Sequence, residues 1–300
     1  MTSRTRVILL AAVITLLVLT LLAQLSPWIA GAAVLHPWLG LIALGFAPLA
    51  VACRRETVPG AICAIGIILA CWPAMVSAWL PRASAPADDE TINLSWTDAT
   101  AIRAEGYADF IAATRDDRIV ICRSSVELLG ELTSQGGFQQ IFRQDLDDGN
   151  VCCVAQRIGG TAWQAEALTE RAWMITGRLA LDDQSARLVI PMLPGAGDPN
   201  ALQTRRVATE ALLAQLKPGD CVVSLGNWDA AAIDWWRVQR AADAGQPAGA
   251  VPASWPAWSR QPAAVGALLI AAGPPWVLEP VDAGNVAGVR VMRTAVGLRQ

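Results

Sequence analysis

Residues 116–127, DDRIVICRSSVE, decide the fold class of the chain beyond residue 90. Asp116-Asp117 is a turn pair whose short side chains compete for local backbone groups. Arg118–Cys122 is then a short apolar run rich in β-branched residues, and reads as a strand introduced by that turn. Ser124-Ser125-Val126-Glu127 follows at once, a hydroxyl and then a carboxylate at capping-box spacing, and predicts a helix through Thr133. An apolar strand running directly into a capped helix is the building unit of an α/β domain.

The alternation continues on both sides. Ile92–Trp96 reads as a strand, and Ala99–Ala113 as a helix that Thr97 or Asp98 caps. Val151–Gln156, Ala172–Leu181 and Ser185–Met192 read as strands, the last two flanking Asp182-Asp183 as a hairpin. After the loop 194–199, PGAGDP, a helix is predicted over Ala201–Leu216, closed by Lys217-Pro218-Gly219-Asp220. Cys221–Leu225 is a further strand, and short strands are expected near Ala267–Ala271 and Val286–Arg293. Helical connections mixed with hairpins predict two packed mixed sheets flanked by helices, a four-layer α/β sandwich.

The chain before this domain is of another kind. Hydrophobic residues make up 54% of the 300 and charged residues 16%, with a mean hydropathy of +0.38, too apolar for an ordinary soluble domain. The excess sits in residues 1–80, whose only charges are Arg4, Arg6, Arg54, Arg55 and Glu56. Val7–Leu25 is an uninterrupted apolar run, and about 20 helical residues cross a hydrocarbon core. Trp38–Cys53 and Val58–Leu80 are read as two further spans, their Pro48 and Pro73 tolerable where neighbouring helices resatisfy the freed carbonyls. Arg4 and Arg6 precede the first span and Arg54 and Arg55 join the second to the third, while Trp28, Trp38 and Trp79 gather at the opposite boundary. Basic flanks resist translocation, so the N-terminus is expected in the cytoplasm and everything after Leu80 on the other side of the membrane. A cleaved signal peptide is the rival reading of residues 1–33, and it exports the domain equally. Residues 81–90, PRASAPADDE, are the linker, and the domain is taken as 91–300.

Without the charges of the membrane region the rest of the chain has an acidic excess, so nucleic acid is not an expected partner. Cys122, Cys152, Cys153 and Cys221 lie in the exported part, where pairing is open but connectivity does not follow from spacing, and burial as small apolar residues stands beside it. Adjacent Cys152 and Cys153 on a strand face opposite sides. The chain's one histidine, His36, falls at the membrane boundary. That excludes Ser-His-Asp and Cys-His chemistry in the domain. Gly195-Ala196-Gly197 lacks the Lys-Ser/Thr of a phosphate loop and reads as a surface loop.

Seven short segments stand out in order along the domain: Leu94-Ser95-Trp96-Thr97, the run Asp116 to Arg123, Leu188-Val189-Ile190-Pro191, Gly226-Asn227-Trp228-Asp229, Ser254-Trp255-Pro256, Val265-Gly266-Ala267-Leu268-Leu269 and Gly284-Asn285-Val286-Ala287. In order and remnants they resemble the endonuclease/exonuclease/phosphatase superfamily, especially bacterial members whose catalytic domain follows three membrane spans. The resemblance implies that Thr97 replaces an Asn, Arg123 a metal-binding Glu, and Pro191 a phosphate-contacting His. It implies likewise that Asn227 and Asp229 exchange the acid and amide of Gly-Asp-Phe-Asn, and that Gly266-Ala267 and Val286-Ala287 stand where Asp-His pairs would. Scaffold residues remain while the acids and histidines are replaced, and Arg123 reverses a charge.

Such chemistry needs carboxylates around a hard cation and a base for water. Asp98, Glu127, Asp229 and Asp234 follow strand ends and are the carboxylates available for a Mg²⁺ or Mn²⁺ site. The better reading of them is structural: Asp98 as a helix cap, Glu127 as a capping-box partner, and Asp229 and Asp234 as solvated loop or first-turn residues. A guanidinium at Arg123 would repel a dication and instead neutralise Asp98 or Asp229, or receive an anion. Asp98, Arg123, Trp228 and Asp229 are therefore the candidate ligand-binding residues, with no catalytic residue, cofactor or metal expected. Trp228, Trp235, Trp236, Trp255 and Trp258 offer stacking faces to a glycan, lipid headgroup or envelope protein, or fill a core. The expectation is a membrane-anchored, non-catalytic binding module; the alternative is a divergent Mg²⁺- or Mn²⁺-dependent phosphodiesterase or phosphatase.

Overall fold

A computed structural model of the chain describes residues 91–146, 149–157, 162–181, 183–193, 199–223, 232–244 and 270–298. The predicted spans and linker lie outside the described residues, among which no helix is long and apolar enough to cross a membrane.

Strand β1 (Ile92–Asp98) runs parallel to β2 (Ile119–Ser124), and β2 pairs antiparallel with β4 (Val151–Arg157), which pairs with β3 (Phe138–Asp145). On its other side β1 pairs antiparallel with β11 (Val289–Leu298), the partner of β10 (Trp276–Val286). The resulting six-stranded sheet has the order β10-β11-β1-β2-β4-β3. The second sheet holds β5 (Gln164–Thr169), β6 (Ala172–Leu181), β7 (Gln184–Met192), β8 (Cys221–Val223) and β9 (Ile270–Ala272) in sequence order. Both sheets mix parallel and antiparallel pairs.

Alternation along the strands separates three cores. Leu94, Trp96, Ile119 and Ile121 of the first sheet meet Ile175, Leu188, Ile190 and Val223 of the second in a central cluster. On the outer face of the first sheet, Val120, Cys122 and Cys153 pack under α1 (Tyr107–Ala113) and α2 (Val126–Ser134) through Phe110, Leu128 and Leu132. On the outer face of the second, Met174, Val189 and Val222 pack under α3 (Pro199–Gln215) and α4 (Ala232–Ala241) through Leu212 and Val238. Two mixed sheets face to face with helices on both outsides form the expected four-layer arrangement.

Local chemistry differs from the sequence reading at several points. The α2 cap is Ser125, whose Oγ accepts from Leu128 N–H at 3.1 Å, and Glu127 sits in the first turn rather than closing a box. The helix expected over Ala99–Ala113 is shorter. Asp98 Oδ1 accepts from the backbone N–H and hydroxyl of Thr100, at 3.2 and 2.6 Å, which makes a turn there. A 3-10 turn at Ala104–Gly106 then leads into α1. The strand expected over Val286–Arg293 is a hairpin: Val286 pairs with Val289, and Ala287 and Gly288 take φ of 48° and 86° in a two-residue turn. Strands β3 and β5 escape the reading because both lie at sheet edges. A register shift between Gln140 and Phe142 breaks the two-residue period of β3, and β5 is largely exposed.

Candidate functional site

The site is built at the C-terminal ends of β1 and β2, where open α/β folds place their ligands. Parallel register sets Asp98 beside Arg123, and the antiparallel ladder sets Arg123 opposite Cys152, itself opposite Gln144 of β3. Laterally paired residues share a sheet face. Trp96 and Ile121 belong to the central cluster and Cys152 packs against it, so this row lies on the face turned to the second sheet.

Arg123 Nη1 stands 3.8 Å from Asp98 Oδ2, with 39% and 58% of the two side chains exposed. An ion pair so open to water contributes about 0–1 kcal/mol. Its weight is electrostatic: the one carboxylate in the row has Oδ1 occupied by Thr100 and Oδ2 facing a guanidinium. Among the described residues, no three His, Cys, Asp or Glu side chains gather as a metal-ligand set. These residues do not fit a hard dication, which takes several free oxygen ligands.

The remaining sequence candidates fall elsewhere. Thr97 is opposite Cys122 of the helix-side cluster and is buried, so it faces α1 and α2 rather than the row. Pro191 is directly opposite Met174, a member of the cluster beneath α3 and α4, and is turned to that helix layer while Met192 takes the inter-sheet position. Val286 packs against the helix-side cluster of the first sheet, and Ala287 occupies the β10–β11 turn. That turn sits over Gly106, where a Cβ would lie 2.4 Å from Ala287 Cβ. Asn227, Trp228, Asp229, Gly266 and Ala267 lie outside the described residues, as do Ser254, Trp255 and Trp258. Asp234 is placed on α4.

Of the candidates, the structure therefore brings together Asp98 and Arg123, and adds Cys152 and Gln144 to them. The opposite faces of Cys152 and Cys153 follow from sequence alone; that Cys152 faces Arg123 needed the register of β2 with β4. Gln144 carries no sequence signal because β3 itself is not legible.

Neither a protein-family model nor a curated protein matches the chain. Solved structures do resemble it. An endonuclease/exonuclease/phosphatase from Beutenbergia cavernae is similar at 11% identity over 70% of this chain and 72% of its own, with a TM-score of 0.48. A family protein of that description from Bacteroides thetaiotaomicron is similar at 8% identity over 71% and 98%, with a TM-score of 0.47. The human Nocturnin catalytic domain with bound sulfate anion is similar at 11% identity over 71% and 96%, with a TM-score of 0.47. All three likenesses are at identities of 8–11%, where nothing about chemistry carries over to this chain.

Proposed function

We propose that this chain is a membrane-anchored extracytoplasmic protein of a bacterial cell, whose phosphoesterase-like domain binds a ligand or envelope partner without hydrolysing it. The observation that carries the reading is the Asp98–Arg123 pair at the strand ends. A position that the superfamily resemblance assigns to a metal-binding carboxylate holds a cation, and the neighbouring carboxylate is already engaged. An arginine in a half-exposed row is suited to an anionic group on the ligand, such as a phosphorylated lipid headgroup, an acidic glycan or a carboxylate of a protein partner.

The test is a calorimetric titration of the full-length chain in detergent with Mn²⁺ and Mg²⁺, beside the Arg123→Glu variant. The expected result is no saturable heat from the native chain. Saturable binding by the native chain, followed by metal-dependent hydrolysis of phosphodiester substrates, would replace this reading with that of a divergent hydrolase.

A further inference from the structure

Directly behind the row lies a pair of thiols. Cys122 precedes Arg123 on β2, Cys153 follows Cys152 on β4, and the two cysteines are opposite each other in the ladder. Their Sγ atoms are 3.1 Å apart, about 1 Å beyond the ~2.05 Å of a disulfide bond. Opposed residues of an antiparallel pair have Cα separations of about 4.5–5.5 Å, inside the about 4.4–6.8 Å that a disulfide spans. Bond formation therefore asks for side-chain rotation and no strand movement. The neighbouring thiols do not compete: Cys152 packs on the inter-sheet side, and Cys221 belongs to the other sheet.

We propose that Cys122 and Cys153 become joined by a disulfide when the chain folds in the presence of a disulfide donor, stapling β2 to β4 immediately behind the Asp98–Arg123 pair. The thiolate of one cysteine attacks the donor disulfide, forming a mixed disulfide and releasing one donor thiolate. The second cysteine's thiolate then attacks the protein sulfur of that bond and expels the other donor thiolate. Two cysteine thiols are oxidised by two electrons in all, and the donor is reduced to two thiols that take up the two protons. Closure belongs to folding rather than to the finished domain. Both side chains are buried beneath Phe110 and Leu128, and the Cys153 thiol is held well above its ordinary pKa by its hydrogen bond with Cys122 and by burial. A buried neutral thiol is a poor nucleophile, and the same burial shields the finished bond from reductants. The pairing is independent of the binding-module reading; a natural supply of donor follows from export, so the test provides its own.

The full-length chain is unfolded and reduced, refolded in glutathione buffers of graded oxidised-to-reduced ratio, quenched in acid, alkylated, digested and mapped by mass spectrometry. A parallel sample is produced by translation in an oxidising extract and alkylated without refolding, so that failure to refold does not decide the matter. The expected product is a peptide linking Cys122 to Cys153, retained in Cys152→Ser and lost in Cys153→Ser. The native chain refolded without oxidant is expected to melt below the same chain refolded with it, while the two preparations of the Cys122→Ala/Cys153→Ala double variant melt alike. Full alkylation of both cysteines at every ratio and in the translated sample, or a link from Cys122 to Cys152 instead, would overturn the proposal.

Discussion

Arg187 grips Asp220 with two hydrogen bonds, Nε to Oδ1 at 2.9 Å and Nη2 to Oδ2 at 2.5 Å, and its Nη2 also donates to the Gln215 carbonyl at the end of α3. Lys217 N–H adds a third donor to Asp220, whose side chain is only 4% exposed. Asp220→Ala would leave the guanidinium without its counter-charge, a loss of about 3 kcal/mol for a pair of this burial. Urea unfolding measures it, and a change below about 1 kcal/mol would show that water replaces the carboxylate. Asp117 behaves differently. Burial raises its carboxyl above the ordinary value of 3.8, against the pull of Arg293, whose Nε is 2.7 Å away. A folded-state value above the unfolded one means a contribution that is full below pH 3.8 and is lost as pH rises through the folded value. Relative to Asp117→Asn, the native chain should therefore lose stability as pH is raised through the acid range above 3.8; a difference constant with pH would refute the assignment. None of these pairings is legible in sequence, since Arg187 and Asp220 are 33 positions apart and Arg293 and Asp117 are 176 apart. The site shows the same limit at its finest grain. Thr97 and Asp98 are adjacent in sequence, and only the pleat decides that Asp98 and not Thr97 shares a face with Arg123.

At the scale of elements, the β10–β11 hairpin turn and the turn before α1 depend on one missing side chain. A methyl group at Gly106 would meet Ala287 Cβ at 2.4 Å, too close for two carbons. Gly106→Ala is expected to cost about 1–3 kcal/mol as the hairpin shifts. Ala287→Gly in the same chain removes the facing methyl and relieves a residue at φ 48°, so the double variant should recover most of the loss in thermal midpoint. Independent, additive losses would mean that the contact is not what Gly106 serves. Interior elements were the ones read correctly: β2, β4 and the β6–β7 hairpin are runs of apolar residues with polar turns between them. Edge strands β3 and β5 were not, because a strand with one open side needs no continuous apolar face, and its identity comes from the neighbour it pairs with.

On the scale of the whole molecule, an apolar region with arginines at one boundary precedes an acidic domain, and the proposed arrangement places the two on different sides of a membrane surface. A tag appended after Gln300 should be cut by protease added to spheroplasts, while a tag before Met1 should be cut only after lysis. Protection of the C-terminal tag in sealed spheroplasts would put the domain in the cytoplasm and remove the natural donor for the Cys122–Cys153 bond. The sequence by itself determined the α/β class, the apolar composition of residues 1–80 and the lack of any histidine beyond His36, because composition and periodicity are local properties. Tertiary structure alone decided that Arg123 meets Asp98 and Cys152, that Thr97 and Pro191 turn to the helix layers, and that Cys122 has Cys153 as its neighbour. Those facts are strand registers, and a register is chosen by which faces the sheets bury together, a quantity that no single segment carries.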